Sequence, residues 1–160
     1  MNNLENKINE AIIINPEDKI RYRLSNLYLF RSFILLGVII FTIFYVGPDI
    51  FKGKLTENFL VLFLILGLVI YVVYHLMTIF KFNITVDKDM IVDSNNKIMI
   101  NQIEKLSIRV MKISNKNNEN CLVIKTKDKK EYVFRLNINN KYKFIKQISM
   151  LTGLNVIIEE

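Results

Sequence analysis

The sequence contains no tryptophan, only two prolines, and a single copy each of cysteine (Cys121) and histidine (His75). One cysteine excludes an intrachain disulfide and a cysteine-based metal cluster. With one histidine inside an apolar run and one cysteine outside it, neither a Cys–His dyad nor a histidine metal site is expected. The glycine-rich phosphate loops and the H-E-x-x-H pattern are absent too. These absences predict a protein that is not an enzyme and that binds no cofactor or metal.

Formally charged residues are missing from a long stretch, residues 59–80. A helix of this length, rising about 1.5 Å per residue, crosses the roughly 30 Å hydrocarbon core of a bilayer. A second apolar run covers residues 27–46, with Arg31 near its polar end, where the side chain can reach the headgroups. A buried helix of a soluble core is the alternative, but runs of 18 or more apolar residues favour spans. The sequence therefore predicts a two-helix transmembrane hairpin, 27–46 and 59–80.

The segment before the first span, residues 1–26, carries weaker signals. Leu4, Ile8 and Ile12 have helical spacing, which fits a short amphipathic helix lying at a membrane interface or, as an alternative, a frayed terminus. Asn15 and Pro16 then suit the cap and the first position of a helix. We therefore expect a cytoplasmic N-terminal segment with a juxtamembrane helix that runs into the first span.

Positive charge is distributed unevenly around the two spans. The chain carries a net charge of +7, with five Lys/Arg in the first 31 residues and 15 after residue 80. The loop between the spans, 47–58, is predicted to begin with a turn and has two Lys against two acids. The positive-inside rule predicts a multi-pass protein of the plasma (inner) membrane with both termini in the cytoplasm. A codon bias toward Lys, Asn and Ile is an alternative source of the charge.

The hydrophobic period changes from helical to alternating after the second span. Strands are predicted at 81–86, 90–93, 97–100, 105–110, 122–124 and 132–136, the fourth of them long, with a polar loop at 115–120. In the fourth strand Leu106, Ile108 and Val110 are expected to point inward. A helix at 140–152, ended by Gly153, and a strand at 154–158 complete the chain. The predicted fold class is membrane α + β, with a cytoplasmic domain at 81–160 built as a curled antiparallel sheet or partly open barrel and capped by a C-terminal α-helix.

This order of elements resembles the bacterial pleckstrin-homology-like domain carried on a two-helix membrane hairpin. The resemblance rests on Phe-Asn-Ile-Thr-Val at 82–86, Met-Ile-Val at 90–92 and Ile-Asn-Gln-Ile-Glu-Lys-Leu at 100–106. It implies a scaffold or protein-interaction module that self-associates or binds a partner and shares no enzymatic activity. The first hairpin turn, Asp87-Lys88-Asp89, is net negative, which disfavours binding of inositol phosphates there.

Outward-facing cations on the predicted strands are the candidate contact residues for a lipid or a partner. They are Lys105, Arg109, Lys125, Lys127, Lys129, Lys130 and Arg135. Below an anionic leaflet, each such cation contributes about 1 kcal/mol to membrane attraction. A lysine-rich solvated face is the alternative. Nucleic-acid binding is not expected, because no outward aromatic row accompanies the cations.

His75 has two interpretations. A neutral ring near headgroup depth, beside Tyr71 and Tyr74, is favoured, because no intramembrane acid is present to pair with it. A proton relay or ligand contact is the alternative.

Together these features predict a membrane-anchored, non-catalytic binding or scaffold module. Its partners would be the lipid bilayer, a protein or a second copy of the chain, and anionic headgroups. An accessory or regulatory subunit of an integral membrane complex or transporter, and an immunity-type membrane protein, are the alternatives.

Overall fold

The computed structural model describes residues 2–52, 59–94, 96–114 and 117–159 and divides into two compact units. The first unit combines Met1–Ser25 with Asn83–Glu160, and the second is Asn26–Phe82. The chain therefore leaves the first unit after Ser25 and rejoins it at Asn83, so the first unit is discontinuous in sequence.

The first unit is a mixed α and β structure. Its elements are α1 (Asn2–Glu10), β1 (Ile20–Tyr22), β2 (Ile84–Val86), β3 (Met90–Val92), β4 (Lys97–Met99), a 3-10 helix (Ile100–Gln102), β5 (Ile103–Ser114), β6 (Asn117–Thr126), β7 (Glu131–Arg135), α4 (Lys141–Thr152) and β8 (Val156–Glu159). The second unit consists of α2 (Asn26–Lys52) and α3 (Phe59–Lys81).

The strands of the first unit form two sheets. One has the order β1-β2-β3-β4 and is antiparallel throughout. The other has the order β7-β6-β5-β8, with β8 parallel to β5 and the remaining pairs antiparallel. Strand β1 precedes the second unit in sequence and β2 follows it, yet the two are register partners, with Tyr22 opposite Ile84.

Helix α4 supplies the centre of the core. Phe144, Ile145 and Ile148 are fully buried on one face of this helix. The Phe144 ring meets Tyr22 of the first sheet edge to face at 5.0 Å between centroids, and Phe134 of the second sheet at 5.9 Å. One aromatic ring on α4 therefore contacts both sheets, and such pairs add about 0.5–1.5 kcal/mol beyond area burial.

A buried polar network fixes the N-terminal segment to α4. The Tyr22 hydroxyl donates a hydrogen bond to Gln147 Oε1 at 2.8 Å. Gln147 Nε2 donates to the carbonyl oxygens of Pro16 and Asp18, each at 2.9 Å. Gln147 is fully buried, so all three bonds lie in a region where an unpaired polar group would be costly. Desolvation also raises the pKa of Tyr22, which keeps its hydroxyl protonated.

The predicted juxtamembrane helix is wrong. Asn15 caps a turn instead of a helix, since Asn15 Oδ1 accepts a hydrogen bond from the Glu17 amide at 3.1 Å. The turn is held by Gln147, and the chain then extends into β1, so the N-terminal segment belongs to the folded unit. Helix α2 begins only at Asn26. The amphipathic spacing near the N-terminus does form a helix, α1, whose Ile8 is buried and which contacts α4.

Further boundaries differ from the sequence predictions, among them those of β5, which runs from Ile103 to Ser114 and not from 105 to 110. Helix α2 continues through Pro48 to Lys52 where a turn was expected, although an interior proline removes one helix hydrogen bond. The residues 53–58 of the predicted loop lie outside the described residues. Helix α3 runs to Lys81, so β2 begins three residues later than predicted. Strand β6 begins at Asn117, inside the predicted polar loop, because this part extends the long pairing with β5.

The general form predicted from the sequence is confirmed: two apolar helices, then strands paired in sheets and a C-terminal helix. Both α2 and α3 contain apolar windows of transmembrane length, at Asn26–Tyr45 and Phe59–Lys81. Gly153 ends α4 with a φ of +67°, as its position predicted. On β5, Leu106 and Ile108 are buried as predicted, but Val110 is exposed, which contradicts its predicted inward position.

We expect the first unit to fold without the second. A chain in which residues 26–82 are replaced by a short Gly-Ser linker retains the β1–β2 pair and the Tyr22–Phe144 contact. It should be monodisperse without detergent and should protect the buried thiol of Cys121 from alkylation. Residues 83–160 alone should alkylate rapidly, because they lack β1 and the Tyr22 ring. Equal protection in the two chains would contradict the discontinuous unit.

A second prediction concerns Gln147→Leu. The change leaves the Tyr22 hydroxyl and two carbonyl groups without their partner, so the unfolding free energy should fall by about 3 kcal/mol. The urea dependence of Cys121 alkylation in the full chain measures it. The matched control is Gln102→Leu, at an exposed side chain of the 3-10 helix, which should change stability little. Similar losses in both variants would argue against the network.

Candidate functional site

The candidate surface is the face of the β7-β6-β5-β8 sheet that points away from Phe144. Strand register places Ile157, Ser107, Val123 and Val133 in one row across this face. Ser107 and Val123, on the two central strands, are buried, whereas Val133 and Ile157 at the edges are about half exposed. Charged residues occupy the rows on both sides, which gives an apolar row between two charged ones.

A network of ion pairs crosses this apolar row. Lys105 Nζ lies 2.7 Å from Glu159 Oε1, and the Arg109 guanidinium binds the other oxygen of Glu159. Arg109 Nη1 also lies 3.3 Å from Glu131 Oε2 on β7, beyond the intervening strand β6. Glu159 is the register partner of Arg109, and Lys105 is four residues earlier on β5. The network therefore runs diagonally over Ser107 and Val123, which accounts for their burial.

The charges in the network stabilise one another. Hydrogen bonds from Lys105 and then Arg109 lower the pKa of Glu159 from 4.5 to about 2. The hydrogen bond to Glu159 in turn raises the pKa of Arg109. The Glu159 carboxylate is therefore ionised at neutral pH and offsets part of the positive charge that the sequence suggested for this face.

The remaining predicted contact residues divide between this face and one turn. Arg135 lies on β7 and donates three hydrogen bonds to Glu119: Nη2 to Oε1 and Oε2, both at 2.9 Å, and Nε to Oε2 at 3.1 Å. Lys125 lies on the face in the row of Lys105. The other predicted cations, Lys127, Lys129 and Lys130, lie in the turn between β6 and β7.

That turn is itself held by local bonds. Thr126 Oγ1 donates to Asp128 and to the carbonyl of Lys130, and Lys130 Nζ lies 3.0 Å from Asp128. The hydrogen bond from Thr126 and the contact with Lys130 lower the pKa of Asp128. Lys129 adopts a φ of +64°, and Lys127 lines an open cavity of about 520 Å³.

The structure thus separates the seven candidates into paired and unpaired cations. Lys105, Arg109, Lys130 and Arg135 have carboxylate partners. Among the described residues, Lys125, Lys127 and Lys129 have no ion-pair partner. The acidic partners Glu119, Glu131 and Glu159 were not identified from the sequence. Alternation on neighbouring strands could have indicated Glu131, but the parallel addition of β8, which positions Glu159, leaves no local signal.

His75 is the other polar residue of interest. Its Nε2 atom is buried and has no hydrogen-bond partner among the described residues. The ring stacks on Tyr71 with 5.7 Å between centroids. The stack on Tyr71 agrees with the structural interpretation, and the described part of the chain provides no second polar group that bonds this nitrogen.

The described residues include no group of three or more His, Cys, Asp or Glu side chains that could hold a metal ion. Burial raises the pKa of the Cys121 thiol, which keeps it in the poorly nucleophilic protonated form. No protein-family model, curated protein or solved structure matches the chain. The function is therefore inferred from the geometry of the charged and apolar surfaces.

We predict that Glu159→Gln destabilises the chain in a pH-dependent way. A carboxylate with a lowered pKa stabilises the folded state above its unfolded pKa, and this contribution is lost as the pH falls toward the folded pKa. The wild type should therefore have the higher urea midpoint at pH 7, and the difference should shrink from pH 4.5 to about 2. Circular dichroism during urea titration measures it.

The matched control is Glu104→Gln, at an exposed residue of the neighbouring strand β5 that has no ion pair among the described residues. It should leave the midpoint nearly unchanged at every pH. A pH-independent effect of Glu159→Gln would contradict the ion-pair network.

Proposed function

We propose that this chain is a membrane-anchored, non-catalytic binding module that holds a pleckstrin-homology-like domain at the cytoplasmic side of the plasma membrane. The domain would engage a protein partner, which includes a second copy of the chain. The observation that carries the proposal is the exposed apolar surface of α2 and α3. Only 11% of the residues in the transmembrane-length window of α2 are buried, and Val72 and Ile79 are the buried residues described on α3.

A soluble protein would not tolerate such a surface. Large apolar side chains are exposed along both helices, among them Phe30, Phe41, Leu60, Phe63 and Ile70. Soluble monomers rarely expose contiguous apolar patches above a few hundred Å². The residues that are buried, such as Leu36 on α2 and Val72 on α3, lie within the pair of helices. Lipid is the solvent that suits the remaining surface.

Strand pairing supports two crossings instead of one. Strands β1 and β2 flank the helical unit and are hydrogen-bonded to each other, so the segments before α2 and after α3 lie on the same side of any membrane. Two spans meet this requirement, and a single span does not. The excess of Lys/Arg in the flanking segments favours the cytoplasm for that side.

The domain itself has features that fit a pleckstrin-homology-like fold. Antiparallel strands form two sheets, and a C-terminal helix packs its apolar face against residues of both. The additional parallel strand β8 departs from a purely antiparallel plan. This fold would provide a rigid support for the surface built on β5, β6, β7 and β8.

The charge pattern of that surface favours a protein partner over a lipid headgroup. Four of the seven candidate cations are already paired with carboxylates, which reduces the attraction of an anionic membrane. The surface alternates charged rows with the half-exposed Val133 and Ile157. Protein interfaces combine such apolar centres with polar rims.

Two measurements test this proposal. The first is alkaline extraction of native membranes, in which the full chain should stay in the pellet and the chain with residues 26–82 replaced by a linker should be released. Release of the full chain would overturn the anchoring.

The second is photo-crosslinking from Val133 or Ile157 in native membranes. A discrete adduct is expected from these positions, and none from Lys97, an exposed control on the other sheet. Equal labelling from Lys97, or no adduct from Val133 and Ile157, would overturn the assignment of the binding surface.

A further inference from the structure

The connection between α1 and β1 exposes isoleucine side chains without an evident structural reason. Ile12 is 81% exposed and Ile14 is 97% exposed, the latter the most exposed of the large apolar side chains described. The connection is nevertheless well anchored at both ends. Ile8 of α1 is buried, and the carbonyl of Pro16 is bonded by Gln147. The two isoleucines therefore project from a fixed loop.

Lysines surround this loop. Lys7 of α1 lies over the Tyr142 ring at 5.9 Å, and Lys141 lies over the same ring at 5.2 Å. Lys143 joins Lys7, Glu10, Ile12 and Tyr142 in the wall of an open cavity of about 620 Å³.

Lys146 donates a hydrogen bond to the carbonyl of Asn9 at 2.6 Å, which ties α4 to the end of α1. Among the charged groups near the loop, Glu10 is the one acid in the cavity wall, and Glu17 and Asp18 lie in the following turn. None of Lys7, Lys141 and Lys143 has a carboxylate partner among the described residues. In contrast to most cations of the sheet surface, these lysines are not held in ion pairs, although the three acids lie beside the loop.

We propose that Ile12 and Ile14, with Lys7, Lys141 and Lys143, form a contact site for an anionic lipid surface. Exposed apolar side chains enter the boundary between headgroups and acyl chains, and nearby lysines attract anionic lipids. This surface differs from the basic strands that the sequence indicated. The inference rests on the proposed function, because the hairpin would keep the domain beside a bilayer.

A bilayer suits this site better than a protein does. A stable protein interface buries roughly 800 Å² on each partner and needs a complementary shape. Two isoleucines on a short loop provide a small area, and a fluid lipid surface accepts single side chains without a matching pocket. The contact would orient the domain relative to the membrane and leave the sheet surface available to a partner.

The test uses the full chain reconstituted in vesicles of phosphatidylcholine, with or without about 30% phosphatidylglycerol. A single added cysteine, Ile12→Cys, carries an environment-sensitive fluorophore, and lipids with nitroxide groups at shallow acyl positions act as quenchers. When the folded protein is labelled, the buried Cys121 should not react with the fluorophore. The wild type, labelled in the same way, measures the background fluorescence. Lys97→Cys is the exposed control, and Phe63→Cys on α3 is the membrane reference.

The expected result is quenching at position 12 that is at least about twofold stronger in the anionic vesicles. Charge reversal at Lys7→Glu and Lys143→Glu should abolish this difference, while Lys97→Cys should stay unquenched in both. If position 12 stays accessible to an aqueous quencher in both lipids while position 63 is quenched by lipid, the inference is wrong and the anchoring stands. If position 63 is not quenched by lipid either, the anchoring fails with it. Shielding of position 12 only by an added protein would also overturn the lipid assignment.

Discussion

The pairing of β1 with β2 is the constraint on which the rest of the structure depends. These strands are separated by the whole helical hairpin in sequence, yet they are neighbours in one sheet, with Tyr22 opposite Ile84. Closing such a long interval costs chain entropy, which grows slowly with loop length. The stable helices of the hairpin reduce that cost further, because their own ends return close together. The hairpin is therefore an insertion in a domain and not an appendage in front of one.

This arrangement explains why α4 carries so much of the core. A three-residue strand such as β1 is too short to hold the N-terminal segment by ladder bonds alone. Gln147 supplements them by bonding two carbonyls and the Tyr22 hydroxyl, and Phe144 packs on the Tyr22 ring. Buried polar networks of this kind specify one arrangement, because every alternative leaves a donor or acceptor unpaired.

Elements that depend on interactions between residues close in the sequence could be predicted, and those that depend on distant residues could not. The two apolar helices, the C-terminal helix and Gly153 depend on composition and spacing within a few turns, and they are confirmed. The signal at Asn15 and Pro16 was local too, but a turn satisfies the same side-chain preferences, and the decisive partner, Gln147, lies far along the chain. The pairing of Glu159 with Lys105 and Arg109 depends on a parallel strand at the other end of the chain, which no local pattern encodes.

Long-range contacts also change how the basic composition of the chain is interpreted. A count of lysines and arginines treats every cation as available, but on the sheet surface carboxylates from three other strand segments neutralise most of them. Near Ile12 and Ile14 the described lysines form no ion pair, and Lys7, Lys141 and Lys146 contact an aromatic ring or a backbone carbonyl instead. Attraction to an anionic surface scales with uncompensated charge close to it. The folded chain therefore separates two groups of cations that the sequence presents as one: those paired with carboxylates on the sheet, and those near Ile12 and Ile14 that form no ion pair among the described residues.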